Sequence, residues 1–123
     1  MMDRFALTKS QAALLCCLVA APIVSAVAAE SAENQYLIQI LDHEFSPKEL
    51  VVPAGQKIKV MVENLDPTPE EFESYDLHRE KMISANSKAA IFIGPLKAGT
   101  YKYFGEFHQQ TAQGAIVVKE ASL

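Results

Sequence analysis

Residues 57–64 read KIKVMVEN, with Ile58, Val60 and Val62 on one parity and Lys57, Lys59, Met61 and Glu63 on the other. A period of two is the spacing of a strand that turns one face to a core and the other to water. Short units of the same kind recur at residues 36–42 (YLIQILD), 49–53 (ELVVP), 88–93 (KAAIFI), 100–104 (TYKYF) and 115–119 (AIVVK). Residues 72–77 predict a further, unusually acidic strand. Between these units stand turn signals: Phe45-Ser46-Pro47, Ala54-Gly55, the two-proline stretch at residues 65–70, Gly94-Pro95 and Lys97-Ala98-Gly99. Proline fixes φ and removes a donor, so it stops a central strand. Residues 78–81 (HREK) show no period and fit a short helix or an exposed turn. Roughly seven strands, a turn signal about every eight to twelve residues and no long helix predict an all-β fold, an antiparallel Greek-key β-sandwich.

The first residues follow another logic. Arg4 and Lys9 precede a mostly apolar run at residues 11–27, and small residues at Ala26, Ala28 and Ala29 meet a polar stretch at Glu30. This pattern predicts a secretory signal peptide over residues 1–29 and a single domain over residues 30–123. The alternative is an uncleaved anchor helix. Cleavage would remove Cys16 and Cys17, leaving a domain without a disulfide that relies on its own core. Of 11 basic and 15 acidic side chains the leader takes two and one, leaving 9 against 14 and a formal net charge of −5. Such a balance argues against nucleic acid and anionic membrane as partners. The expected location is the periplasm, with no stable membrane insertion after cleavage.

Chemistry concentrates in residues 101–118, YKYFGEFHQQTAQGAIVV, where a strand runs into a loop with Glu106 and His108 before Gly114 and a closing strand. Two longer phrases, FSPKELVVPAGQKIKVMVEN at residues 45–64 and GPLKAGTYKYFGEFH at residues 94–108, occur in order. Together they resemble the opening and closing segments of the cupredoxin superfamily. In its electron-transfer members, a Cys ligand would fall on Gly105, a His ligand on His108 and a Met ligand near Ala112. The first His would fall where this chain has Glu70, Glu71 and Glu73. A blue-copper centre depends on a thiolate with two imidazoles. Without the cysteine, the resemblance implies a harder carboxylate–imidazole set. The phrase EEFESYDLHREK at residues 70–81, with GPL and GEFH, resembles the cysteine-poor cupredoxin-like proteins of bacterial ferrous-iron transport systems. That resemblance implies a copper or iron ion, oxidation of Fe(II) before uptake, and two partners: an iron permease complex and a periplasmic iron-binding protein.

His108 is the leading candidate ligand, since imidazole is the commonest transition-metal donor; the plain alternative is a polar loop histidine. Glu106 either shares the site or faces water. In an extended segment Glu71 and Glu73 share one face and Glu70 takes the other. Glu71, with Glu73 behind it, is the expected carboxylate partner of His108. A solvated acidic edge is the competing reading. His43, beside Asp42 and Glu44, fits a surface histidine or a second, weaker site. No catalytic residue is assigned. Three functions stay open: an iron-oxidising metal protein, a copper or iron carrier without catalysis, and a metal-free docking sandwich.

Overall fold

The computed structural model describes residues 35–121. The expected leader and both cysteines lie outside the described residues. Nine strands follow in order: β1 Gln35–Leu41, β2 Glu44–Ser46, β3 Glu49–Pro53, β4 Ile58–Asn64, β5 Glu70–Ser74, β6 Arg79–Ile83, β7 Ser87–Ile93, β8 Gly99–Gly105 and β9 Gln113–Lys119. A single 3-10 turn, Glu106–His108, interrupts the path from β8 to β9. Among the described residues no helix is long and apolar enough to cross a membrane.

The strands make two sheets, ordered β2-β1-β4-β7 and β3-β9-β8-β5-β6. Most pairings are antiparallel, as the turn-rich sequence predicts. Two are parallel, β1 with β4 and β3 with β9, because the chain crosses between sheets before returning beside an earlier strand. Inward residues of both sheets fill the space between them. β4 shows why: Ile58, Val60, Val62 and Asn64 are buried while Lys59, Met61 and Glu63 stay half-exposed. A fully buried Ile or Phe contributes roughly 1.5–3 kcal/mol, so a few such rows hold the sheets face to face.

Two segments differ from the sequence reading. Phe45 and Ser46, expected with Pro47 as a turn, instead belong to β2, whose one inward side chain is Phe45. Residues 79–83 form β6, an edge strand with four exposed residues and only Ile83 buried. A strand that sends one residue inward has no alternation to read, and its charges suit an unpaired edge. β5 also begins at Glu70, earlier than expected.

Register brings particular strand ends together. Parallel pairing of Ile40 with Asn64 sets the β1–β2 turn beside the loop leaving β4. Pairing of Phe72 with Gly105 sets the start of β5 beside the end of β8. One step inward from Glu70, Phe72 stacks on Tyr103 with centroids 4.8 Å apart, and Phe45 meets Tyr103 edge-on at 4.9 Å. Tyr103 lies opposite Gly114 on β9, and its ring fills the space where a side chain at 114 would sit. Tyr101 ties down the loop before β8 by donating its hydroxyl to the carbonyl of Lys97 at 2.8 Å.

Candidate metal centre

His43 sits in the two-residue connection between β1 and β2, where Leu41 pairs with Glu44. Asp42 and His43 both have positive φ, 51° and 59°. Two successive left-handed residues make a type I′ hairpin turn, whose second position, here His43, ordinarily takes glycine. Asp66 compensates. Its buried carboxylate accepts the backbone N–H of Asp42 at 2.7 Å and of His43 at 2.9 Å. The same carboxylate lies 3.4 Å from His43 Nδ1. Asp66 is anchored in turn by Asn64, whose Oδ1 accepts the Asp66 N–H at 3.0 Å and whose Nδ2 donates to the carbonyl of Thr68 at 2.8 Å.

Glu70 opens β5 on its inward face and is 1% exposed. Its Oε1 accepts the backbone N–H groups of Phe107 at 2.9 Å and Glu71 at 3.0 Å. Its Oε2 stands 2.6 Å from His108 Nδ1. His108 ends the 3-10 turn, and its carbonyl accepts the Ala112 N–H at 2.8 Å, which curls the loop back toward β9. The rings of His43 and His108 stack, with centroids 3.6 Å apart and planes 12° from parallel. Thr111 clamps the two loops together by donating its hydroxyl to the carbonyl of His43 at 2.8 Å.

His43, Glu70 and His108 each offer one donor atom, and the three lie within 4.8 Å of one another. In a tetrahedral site, bonds of about 2.0–2.2 Å set neighbouring ligands roughly 3.3–3.6 Å apart, so the three donors need a modest local rearrangement to converge on one ion. Two imidazoles and a carboxylate suit copper or iron and lack the soft thiolate of a blue-copper centre. The half-exposed histidine side chains, 41% for His43 and 31% for His108, leave the cluster open to solvent on one side.

The other sequence candidates are placed elsewhere. Glu71 and Glu73 point to the opposite face of β5 from Glu70, where they gather with Glu80 of β6. There the Glu71 carboxyl is held above the usual range by its hydrogen bond to Glu80, then by burial and by repulsion from Glu80, Glu73 and Glu106. Glu106 is exposed on the Glu71 side. So His108 is brought together with Glu70 and His43, and neither Glu71, Glu73 nor Glu106 joins them. The reason is the pleat: Phe72 is the segment's large apolar residue and must face the core, which carries Glu70 inward and Glu71 outward. That parity was available in the sequence. Asp66 was not, since nothing local marks it as the cap of a turn more than twenty residues away.

A β-sandwich with imidazoles and a carboxylate gathered at its loop end is a cupredoxin-type architecture. The chain belongs to the cupredoxin-like domain family, which it matches over residues 14–118. It is 49% identical over 83 residues to protein RP394 of Rickettsia prowazekii (strain Madrid E), across 68% of this chain and 66% of that one, so it spans just under two thirds of the relative's length. Auracyanin A, a blue copper protein of Chloroflexus aurantiacus, superposes with a TM-score of 0.59 at 18% identity, covering 69% of this chain and 98% of that one. Amicyanin from Paracoccus versutus gives 0.57 at 19% identity, over 74% and 87% of the two chains. The metal-binding domain of the Streptococcus pneumoniae D39 Cu(I)-exporting P-type ATPase CopA gives 0.63 at 15% identity, over 70% and 85%. At such identities the structural likeness establishes the fold.

Proposed function

We propose that this protein is an exported, periplasmic metal protein whose His43–Glu70–His108 centre binds copper or iron and serves ferrous-iron uptake. The observation that carries the reading is the buried Glu70 carboxylate, aimed at His108 beside a second imidazole. Copper in the structural neighbours, one a blue copper protein and one a Cu(I)-bound domain, supports copper as an occupant. The carboxylate supports iron, since oxygen donors favour harder ions, Fe(III) above Fe(II). Iron is then substrate or cargo, and the expected partners are an iron permease complex and a periplasmic iron-binding protein.

The chain's own groups have distinct tasks in this reading. Glu70 is held through one oxygen by two backbone donors, so its second oxygen is presented to an arriving ion with little reorganisation of the carboxylate. Asp66 fixes the His43 turn, and a carboxylate behind a ligating imidazole also sets its orientation. Phe72, Phe45 and Tyr103 pack on one another as buried rings two residues along the chain from Glu70, His43 and Gly105. Bound copper would supply a one-electron couple. Oxidation of Fe(II) releases one electron per iron, which passes to an external oxidant such as dioxygen or a redox partner protein.

The test is titration of the purified protein with Cu(II) and separately with Fe(II), following stoichiometry and the loss of Fe(II) in air. One equivalent bound, with faster Fe(II) loss than in buffer, is expected. His43→Ala, Glu70→Gln and His108→Ala should each weaken binding by about 10-fold or more. Binding without faster oxidation leaves a carrier. No binding at micromolar protein removes the metal reading altogether.

A further inference from the structure

We infer that Gly105 and Glu70 are a mutually exclusive pair: this centre takes its carboxylate because position 105 has no side chain. This deepens the metal reading and rests on it. A Cβ built on Gly105 would stand 2.7 Å from Glu70 Cδ, 2.9 Å from Glu70 Oε1 and 2.7 Å from the Cβ of Ala112. All three distances are far inside van der Waals contact. Nor can Glu70 swing aside cheaply. The oxygen that a Cβ would strike is the one held by the N–H groups of Phe107 and Glu71. Ala112 is fully buried, and its backbone is bonded to both Gly105 and His108, so it has no room to retreat.

The backbone at Gly105 makes no demand for glycine of its own. Its φ of −91° and ψ of 116° are ordinary extended values open to any residue. Glycine is required here by the space that the Glu70 carboxylate occupies. The direction matters for the chemistry, because the line from Gly105 through its missing Cβ runs to a carboxylate whose other oxygen touches His108. A thiol carried at position 105 would therefore enter the volume now filled by Glu70, beside the two imidazoles. Carboxylate at 70 and thiolate at 105 are two occupants of one space, and Gly105 is a residue that determines which metal chemistry the centre supports.

A steric cycle that needs no metal tests the exclusion. In the full chain with Cys16 and Cys17 replaced by Ser, Gly105→Ala should lower the melting temperature by roughly 5–15 °C. On a background carrying Glu70→Ala and Ala112→Gly, the same change should cost only a small fraction of that. An equal cost in both backgrounds overturns the inference. Next, Gly105→Cys is placed on that background and titrated with Cu(II). An intense visible thiolate-to-copper band is expected, absent when Glu70 is retained. Cu(II) uptake without that band overturns the claim that thiolate and carboxylate share the site. If the parent chain binds no metal while the steric cycle still couples, the metal reading fails alone, so the two failures are told apart.

Discussion

Asp66 shows how one side chain far from the cluster in sequence decides its geometry. Two consecutive left-handed residues without a glycine are costly, and here each N–H of the turn is satisfied by a separate oxygen of the same carboxylate. Asp66→Ala leaves both donors short of a partner, and each loss is worth about 1–3 kcal/mol when buried. We expect destabilisation of about 2 kcal/mol by urea unfolding, with Asp66→Asn costing less because it keeps one acceptor oxygen. Cu(II) affinity should fall in parallel, since His43 loses its fixed turn. Tyr103 and Gly114 make the complementary case in the core. The phenol oxygen is buried without a hydrogen-bond partner among the described residues, and burial holds its pKa above the ordinary tyrosine range. Removing it is therefore expected to be neutral or mildly stabilising, whereas Gly114→Ala drives a methyl into the ring and should cost about 1–3 kcal/mol. Thermal melts of Tyr103→Phe and Gly114→Ala check both signs.

At the scale of elements, β5 has two faces with opposite work. Its inward face carries Glu70, Phe72 and Ser74; its outward face carries Glu71 and Glu73 against Glu80 on β6. The hydrogen bond to Glu80, then burial and repulsion from neighbouring carboxylates, raise the folded-state pKa of Glu71, so protonation favours the fold. An acid raised in this way contributes stability that is present below the unfolded carboxylate pKa and is lost as pH rises through the folded value. Glu71→Gln removes that loss. Its melting temperature should exceed the parent's at neutral pH, and the difference should close as pH falls below the carboxylate range, near about 4. The same strand explains how far sequence reasoning reaches. β4 was legible because its inward Ile58, Val60 and Val62 repeat at period two, and β6 was not because only Ile83 faces in. For β5 the faces were legible in principle from Phe72. Glu71 and Glu73 of the acidic run lie on its solvent face, and the buried carboxylate of Glu70 is the neighbour of His108. The pairing of His43 with His108 depends on how the two sheets pack face to face, a long-range contact that no local pattern encodes.

The whole molecule places this cluster across the seam of its two sheets. His43 belongs to the turn joining β1 and β2 in one sheet, while Glu70 and His108 belong to β5 and the turn after β8 in the other. An ion held by all three would cross-link the sandwich at its loop end and stabilise the global fold, because the unfolded chain does not preassemble the three donors. At free metal about 100 times the dissociation constant the linkage is worth roughly 2.7 kcal/mol. For a domain of this size that corresponds to an upward shift of roughly 10–20 °C. Cu(II) should produce such a shift, and a chelator should reverse it. The gain should vanish in His43→Ala as well as in His108→Ala, since each removes a ligand from a different sheet. Glu71→Gln and Glu73→Gln, on the outward face, should keep it. A gain that survives both histidine variants and disappears with the outward glutamates would move the centre to the far face of β5.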